Sequence, residues 1–449
     1  MKNNALRYFP GSSPLPTFTT ISSVAVVVGI VVGTGIFRLP PLVAGHAANE
    51  LQFMLFWVAG GIISLTGALC YAELSSSQPD AGGEYHFLAK AFGPMTGFLF
   101  IWGRMSVIQT GSIALVAYIL GDYATLILDL GKFSQAIYAA ITVILLTGLN
   151  MTGTTHSRKT QLFFTSSILF ILVFISVAGF LSVPAPATPS PDAGSALTGG
   201  NAGLAMIFVL LTFGGWNEAA YLSGELIHVR KNMLKVLISG ILIITGMYLL
   251  INGAYLHVLG FEKLKASQTV GADLTGEVFG AAGTYLVSVI VILSALSTVN
   301  ATIITGARTN YALGRDYRLF RFLGAWHSGK NSPVNALLVQ GIIALLLILL
   351  GAWSKKTVET MVDYTAPVFW FFLLLTSGTI YFFRKKSDNR EKTFRVPLYP
   401  FTPLFFQAVC AYMLYSSLAF TGKGALVGAA VLLTGIPVYL VTSKLKWLQ

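Results

Sequence analysis

Two glycine-rich segments are the parts of this chain best suited to do chemistry, because glycines inside an apolar run expose backbone groups. Each interior glycine costs a helix about 0.5–1 kcal/mol relative to alanine. A helix interrupted there frees N–H groups at the start of one half and C=O groups at the end of the other. Close packing between helices is the alternative explanation for either segment alone. Their residues are Gly33, Thr34, Gly35, Gly214 and Gly215.

The freed groups favour a ligand that carries both charges. N–H groups at the start of a half-helix attract a carboxylate, helped by the positive end of the helix dipole. Free C=O groups accept from an ammonium, so the two breaks together suit an α-amino acid. Gly33 and Gly214 lie 181 residues apart, and the five spans between the two starts reverse the direction of the second unit. Broken helices at matching places in inverted halves indicate the midplane site of a secondary transporter.

The composition predicts the bundle that holds these segments. Of 449 residues, 55% are hydrophobic and 10% charged. Twelve spans of about 20 residues need roughly 240 apolar positions, which is about what the chain supplies. This balance excludes a soluble enzyme, a disordered chain and an outer-membrane barrel. We predict an all-α membrane protein with spans near 19–45, 52–74, 96–121, 133–150, 161–182, 201–225, 234–258, 279–307, 334–353, 359–383, 399–420 and 424–443.

The spans divide a single transporter domain, residues 1–449, into two halves. We expect an N-terminal cytoplasmic segment at 1–18, a first five-helix repeat at 19–182, an inverted repeat at 201–383 and two additional helices at 399–443. Discontinuous helices 1 and 6 would hold the two breaks. A six-plus-six arrangement would separate related segments by about half the chain, unlike the observed 181 residues.

Basic residues predict the orientation. With the N-terminus inside, 21 of the 29 Lys and Arg residues face the cytoplasm, six face outward, and Arg38 and Arg104 remain in spans. This bias places both termini in the cytoplasm of a multi-pass protein of the plasma (inner) membrane. It also explains the net charge of +12 without a nucleic-acid partner.

Three charged residues within spans are candidates for gating or coupling, because charge at membrane depth is costly. We expect Glu218, just beyond the second break, to pair with Arg104 in the third span; a proton sensor or a contact to the substrate is the alternative. Arg38 follows the first break, where it would attract carboxylates, hold an outer gate or extend to the interface. Ser297 and Thr298 in the eighth span are expected to bond their own helix backbone; a contribution to a sodium site is the alternative.

At these residues the sequence resembles the amino acid–polyamine–organocation (APC) superfamily of permeases, and especially bacterial relatives of the light subunits of L-type amino-acid transporters. The resemblance covers nearly the whole chain. The ordered motifs that carry it are Gly33 to Phe37, Cys70 to Leu74, Gly82 to Tyr85, Gly214 to Asn217, Asn300 to Arg308, Ala366 to Trp370 and Arg395 to Pro400.

The resemblance implies the five-plus-five inverted repeat, alternating access, and a substrate site at the breaks. Gly33, Thr34 and Gly35 would donate to the substrate carboxylate. The ammonium would bind the carbonyls of Val31, Leu211, Thr212 and Gly214. Relatives often gate the pocket with an aromatic residue in the sixth span; the aligned position is Leu211, so Phe213 or Trp216 would substitute.

Two departures from the family pattern bear on coupling and partners. Many sodium-independent relatives carry a lysine in the fifth span, but the aligned position is Ile168, which argues against coupling by that lysine. Animal light subunits carry a cysteine after the third span that links a heavy chain. Residues 121–134 contain none, so no disulfide-linked partner is expected.

The sequence therefore predicts a secondary active transporter of L-amino acids, most simply neutral ones, working as an exchanger or a proton-coupled symporter. Cationic amino acids or polyamines are the alternative cargo. A membrane-embedded enzyme or sensor is a distant alternative, since no clustered catalytic set is present. Neither a cofactor nor a metal is expected, because the six histidines lack ligand spacing and no phosphate-binding loop motif occurs.

Overall fold

The computed structural model describes residues 15–184, 202–267, 269–280, 282–352, 357–386, 394–421 and 423–444. The predicted 183–200 connection falls largely outside these ranges, as do residues 1–14. Sixteen α-helices occur in the described part of the chain. They are α1 Thr20–Val31, α2 Pro40–Gly45, α3 Glu50–Ser77, α4 Glu84–Phe92, α5 Pro94–Gly103, α6 Gln109–Ile127, α7 Ser134–Thr152, α8 Thr154–Leu181, α9 Ala202–Thr212, α10 Val229–Ala266, α11 Val270–Phe279, α12 Ala282–Asp316, α13 Val334–Gly351, α14 Thr357–Lys386, α15 Phe401–Thr421 and α16 Lys423–Lys444.

The predicted spans are confirmed as a multi-pass helical bundle. Within the described ranges, ten helical segments are long and apolar enough to cross a bilayer. The broken first span, α1 with α2, and the last helix, α16, complete the twelve. The third span joins α5 to α6 through one π-helical turn at Arg104–Ile108, a feature frequently found at functional sites.

Helices of the two halves meet in matching pairs. The second span packs against the seventh (α3 with α10), the third against the eighth (α6 with α12) and the fourth against the ninth (α7 with α13). The first helix, α1, lies between α8, α10 and α12, with its valines buried. The fold is thus the expected five-plus-five inverted repeat, with α15 and α16 packed outside it against α3, α5 and α14.

Both expected breaks are present. After α1 the chain forms a short 3₁₀ turn, Thr34–Phe37, before α2 begins at two prolines. After α9 it turns at residues 213–215 and continues as a 3₁₀ helix, Trp216–Leu222. Neither residues 33–35 nor residues 213–215 continue an α-helix.

The connections contain more helix than the sequence predicted. Helix α4 follows the second span and α11 follows the seventh. Helix α12 runs to Asp316, well into the predicted connection 308–333. Two basic residues in this extension form ion pairs: Arg308 pairs with Glu225, and Arg315 pairs with Asp80.

The N-terminal segment is tied to the end of the sixth span. The Thr17 and Phe18 N–H groups donate to the Glu225 carbonyl, at 2.9 and 3.0 Å, and the Ile227 N–H donates to the Phe18 carbonyl at 2.9 Å. The side of the bundle where this contact lies is called the N-terminal face below. Spans 1 and 3 begin at this face and span 6 ends there.

Glycine at position 215 is required by both backbone and space. Its φ is +112°, and a Cβ there would lie 2.5 Å from Cγ2 of Ile30. We therefore expect Gly215→Ala to lower the midpoint of thermal unfolding in detergent. Gly246→Ala is the matched control, because that helical position is open and alanine favours a helix by about 0.5–1 kcal/mol. Equal midpoints for the two variants would contradict a strained, close-packed break.

Candidate binding site at the two helix breaks

The first break presents N–H groups. The Gly33 N–H donates back to the Val31 carbonyl at 2.7 Å, so this predicted donor is occupied in the present conformation. Thr34 and Gly35 lie in the first turn of the 3₁₀ segment, where N–H groups have no acceptor within the helix. Both residues are half-buried, and no hydrogen bond joins their N–H groups to the described part of the chain. They are therefore free to donate to a ligand.

The second break presents carbonyls. Helix α9 ends at Thr212, and the Leu211 carbonyl accepts from the Gly214 N–H at 3.2 Å. A carbonyl has two lone pairs, so Leu211 retains capacity for a second donor. The side chain of Leu211 is 45% exposed, although it lies in the middle of a span.

One tyrosine joins the two breaks. The Tyr248 hydroxyl, on the buried face of α10, lies 2.8 Å from the Val31 carbonyl and 3.0 Å from the Thr212 carbonyl. A hydroxyl carries one proton, so the two carbonyls share it. A Cβ on Gly35 would lie 3.4 Å from Cγ2 of Thr212. The expectation that the breaks lie side by side is correct. The region between residues 33–35 and residues 211–214 is called the gap below.

Hydroxyl groups of the eighth span satisfy other carbonyls of the first break. Ser294 donates to the Val32 carbonyl and Thr298 to the Gly29 carbonyl, each at 3.0 Å. Thr298 thus does not meet the expectation that it bonds its own helix backbone, because the Gly33 N–H turns to Val31 and leaves the Gly29 carbonyl without its helical donor. These hydroxyls satisfy carbonyls that the break frees. No group of three or more His, Cys, Asp and Glu side chains that could hold a metal ion occurs among the described residues.

A buried amide network behind the first break was not foreseen. The Gln161 side chain donates to Ser297 at 2.9 Å and to Thr165 at 3.1 Å, and accepts from Asn300 at 2.8 Å. Thr165 in turn donates to the Ala25 carbonyl of α1 at 2.8 Å. A glutamine inside an apolar span was the available signal, since buried amides require partners. Ile168 lies about two helical turns after Gln161 on α8 and is fully buried in the apolar core.

The rings of Phe213 and Trp216 point away from the first break. Phe213 packs on Trp57 and Tyr248, with ring centres 6.4 and 5.0 Å apart. Trp216 meets Tyr71 at 5.2 Å and packs toward the second and eleventh spans. In this conformation neither ring lies over the gap, so the placement gives no support to the aromatic gate predicted for them. Leu211 is the exposed residue at that position.

Trp216 instead borders a largely apolar cavity behind the second break. Its walls come from spans 2, 6, 10 and 11. The lining includes Ser64, Gly214, Asn217, Trp370, Leu373 and Phe406.

The predicted ion pair is present. Arg104 Nη2 lies 2.5 Å from Glu218 Oε2, and both side chains are almost fully buried. Arg104 also donates to Thr309 at 3.1 Å, and its Cζ lies 4.0 Å from the centre of the Tyr221 ring. The π-helical turn begins at this arginine. Glu218 is thus neutralised by a partner and does not face the gap as a free charge.

Further polar contacts close the N-terminal face beneath the site. Glu84 accepts from the hydroxyls of Tyr71 and Tyr221 and, at 3.3 Å, from Asn217. Arg308 Nη2 lies 3.0 Å from Glu225, and the guanidinium faces the Phe18 ring.

The loop after the second span is held at the same face. Arg315 Nη1 lies 2.9 Å from Asp80, and the Ser223 hydroxyl donates to the Asp80 carbonyl at 2.9 Å. Burial opposes ionisation of this carboxyl, but the nearby Arg315 prevails and holds the pKa of Asp80 below its ordinary value. The opposite face differs, since Arg38 is exposed there and makes no ion pair within the described ranges.

Comparison with known proteins identifies the family. The model of the "Amino acid permease" family matches residues 18–441. The chain belongs to this family. The permease is 28% identical over 385 residues to the human b(0,+)-type amino acid transporter 1, covering 84% of this chain and 78% of the relative. It is 28% identical over 437 residues to the human large neutral amino acids transporter small subunit 2, covering 93% and 79%. It is 25% identical over 430 residues to the serine/threonine exchanger SteT of Bacillus subtilis, covering 94% and 96%.

The Arg104–Glu218 pair predicts a non-additive pattern of stability in the permease. Removing one partner of a buried ion pair leaves an uncompensated charge and costs about 3–5 kcal/mol. We expect Arg104→Gln and Glu218→Gln each to lower the thermal midpoint strongly, and the double variant to lose less than the sum of the two. A double-mutant cycle on purified protein measures the coupling. Additive losses would contradict the pairing.

Proposed function

We propose that the permease is a secondary active transporter that exchanges neutral L-amino acids across the plasma membrane by alternating access. The observation that carries the proposal is the single gap formed by the two breaks. Free N–H groups lie on one side of it and carbonyls with spare acceptor capacity on the other. The family and the relatives named above are transporters, which argues against an enzyme or a sensor.

Each charged end of an amino acid has complementary backbone groups on one side of the gap. The carboxylate would accept from the N–H groups of Thr34 and Gly35, with Gly33 joining if its turn to Val31 opens. The ammonium has three donors and would bind the remaining lone pairs of the Val31, Leu211, Thr212 and Gly214 carbonyls. Sharing of the Tyr248 proton leaves spare acceptor capacity on Val31 and Thr212.

Neutral cargo is favoured over cationic cargo because Glu218 is already paired. A lysine or polyamine would need an unpaired carboxylate near the gap, and Arg104 would have to leave Glu218 to provide one. Exchange is favoured over proton symport because the Bacillus relative is a serine/threonine exchanger. No cofactor takes part in this proposal.

We propose that the N-terminal face is cytoplasmic, in keeping with the bias of basic residues. The site would then be closed to the cytoplasm and accessible from outside, since Arg38, Leu211, Thr34 and Gly35 are at least partly exposed. The halves 19–182 and 201–383 would alternate around the breaks, while 399–443 would stay peripheral. Because the described cysteines, Cys70 and Cys410, are buried, we propose that no heavy chain is disulfide-linked.

Blocking the free N–H groups of the first break should weaken substrate binding without unfolding the protein. A Cβ at Gly35 makes only ordinary contacts, the nearest at 3.4 Å, but it would crowd a carboxylate approaching the N–H. We expect Gly35→Ala to raise the KM for exchange about tenfold or more, equivalent to one lost charged hydrogen bond of roughly 1.5–3 kcal/mol. The thermal midpoint should stay near that of Gly148→Ala, a control at an open helical position.

Exchange in proteoliposomes tests the proposal directly. Vesicles loaded with one neutral amino acid should take up labelled neutral amino acids, and arginine or putrescine should compete poorly. An analogue lacking the carboxylate and another lacking the ammonium should both fail to compete. The first cannot bind the N–H groups of the gap, and the second cannot bind its carbonyls. Competition by either analogue equal to that of the intact amino acid would refute the binding mode. Failure of every amino acid with demonstrably folded protein would refute the function.

A further inference from the structure

Glu84 is a buried carboxyl at the N-terminal face that makes no ion pair within the described ranges. The residue is 3% exposed, and its hydrogen-bond partners are neutral: the hydroxyls of Tyr71 and Tyr221 and the amide of Asn217. The other buried glutamates of this face each have an arginine partner. These pairs are Glu73 with Arg384, Glu218 with Arg104 and Glu225 with Arg308. Glu84 is thus the exception among the contacts that close this face.

One guanidinium serves two carboxyls in this part of the structure. The Cζ atom of Arg104 lies 4.0 Å from the centre of the Tyr221 ring, and the hydroxyl of that ring contacts Glu84. Arg104 itself is bound to Glu218, with Nη2 2.5 Å from Oε2. If both glutamates were ionised, one negative charge would remain uncompensated inside the protein, which is costly. A proton on Glu84 removes that charge.

The neighbours of Glu84 accommodate a protonated carboxyl. Its contacts include one tyrosine from the second span, Tyr71, and one from beyond the second break, Tyr221. A tyrosine hydroxyl accepts as well as donates, so either one can accept the carboxyl proton. Burial raises the pKa of Glu84 above its ordinary value, although the nearby Arg104 and the hydrogen bonds from the two tyrosines act in the opposite direction.

The other charged groups around α4 have partners of their own. Helix α4 packs against α5 and α14, and α5 contains no ionisable side chain. The partnered groups on α14 and on α4 itself are Arg384 with Glu73, His86 with Asp80, Tyr85 with Asp316 and Lys90 with Gln78. None of these contacts supplies a cation to Glu84.

Opening of the N-terminal face changes the surroundings of Glu84. Asn217 and Tyr221 belong to the second half of the fold, whereas Glu84 and Tyr71 belong to the first. Separating the halves at this face removes two of the three hydrogen-bond partners of Glu84 and admits water. A glutamate in water has a pKa of about 4.3, so the solvated carboxyl is ionised at neutral pH.

We propose that Glu84 is a proton-binding site, which holds a proton while the N-terminal face is closed and releases it when that face opens. This proposal rests on the alternating access proposed above. The proton passes from the carboxyl to water at the opened face, and the remaining carboxylate is solvated there. Because the closed state binds one proton more than the open state, acid favours closure. Between the lower pKa of the open state and the higher pKa of the closed state, the ratio of closed to open protein falls about tenfold per pH unit as the pH rises.

Removal of the carboxyl tests the proton in the resting protein. Glu84→Gln replaces a protonated carboxyl by a neutral amide of similar shape, so the thermal midpoint in mildly acidic buffer should stay close to that of the wild type. The matched control, Glu225→Gln, also removes a buried glutamate at this face but leaves Arg308 without its ion partner, so its midpoint should fall strongly. Equal losses in the two variants would overturn the proposal, because Glu84 would then be an ionised partner as well.

Infrared difference spectroscopy follows the carboxyl itself. A pH titration of the wild type should show a protonated-carboxyl band that disappears clearly above the ordinary glutamate pKa of about 4.3 and is missing from Glu84→Gln. Tyr221→Phe removes a hydrogen bond that favours the ionised form, so its band should persist to a pH about one unit higher. A Glu84 band lost at or below the ordinary value, or one that moves to lower pH in Tyr221→Phe, would contradict the proposal.

Exchange in proteoliposomes connects the proton to alternation. Acidifying the buffer on both sides should slow exchange by the wild type several-fold, because acid favours the closed N-terminal face. Glu84→Gln has no proton to release, so it should exchange slowly and without this pH dependence. If the wild type exchanges amino acids and the pH dependence is the same in Glu84→Gln, only this inference fails. If no amino acid is exchanged but the infrared band titrates as expected, the proposed function fails and the proton site remains.

Discussion

Inside a bilayer an unpaired backbone N–H or C=O costs several kcal/mol, and this constraint governs the centre of the permease. Two spans give up their internal hydrogen bonds at the same depth. Side chains from other spans satisfy most of the freed carbonyls, with Tyr248 joining both breaks and the hydroxyls of Ser294 and Thr298 serving the first. The N–H groups of Thr34 and Gly35 are left for a ligand. The proposed binding site thus consists of the backbone groups that the fold does not pair itself.

The same need to pair polar groups inside the bilayer explains the contacts that close the N-terminal face. Buried arginines and carboxylates occur there in contact, as in Arg104 with Glu218 and Arg308 with Glu225. An isolated charge would be costly at that depth, and pairing offsets the cost. The Arg104–Glu218 pair also connects the two halves of the fold. Glu84 accepts hydrogen bonds from two neutral hydroxyls, those of Tyr71 on α3 and of Tyr221 after the second break. Opening this face must separate these groups, so its stability influences the rate of alternation.

Glycine and charge patterns predicted much of this from sequence. The breaks followed from glycines placed where a helix would exclude them, and their adjacency followed from the reversed direction of the second half. The Arg104–Glu218 contact followed from the cost of two buried charges. The orientation of Phe213 and Trp216 did not follow, because an apolar ring gives no sign of which neighbouring helix it meets. Tyr248 and the Gln161 network also went unforeseen, since a single polar group in an apolar span does not reveal its partner.

A structure of the permease with a bound neutral amino acid tests the central claim most directly. The account predicts the ligand between the breaks, its carboxylate within hydrogen-bond distance of the Thr34 and Gly35 N–H groups and its ammonium on carbonyls at the end of α9. A ligand in the aromatic cavity beside Trp370 and Phe406, or one held by a single end, would contradict it.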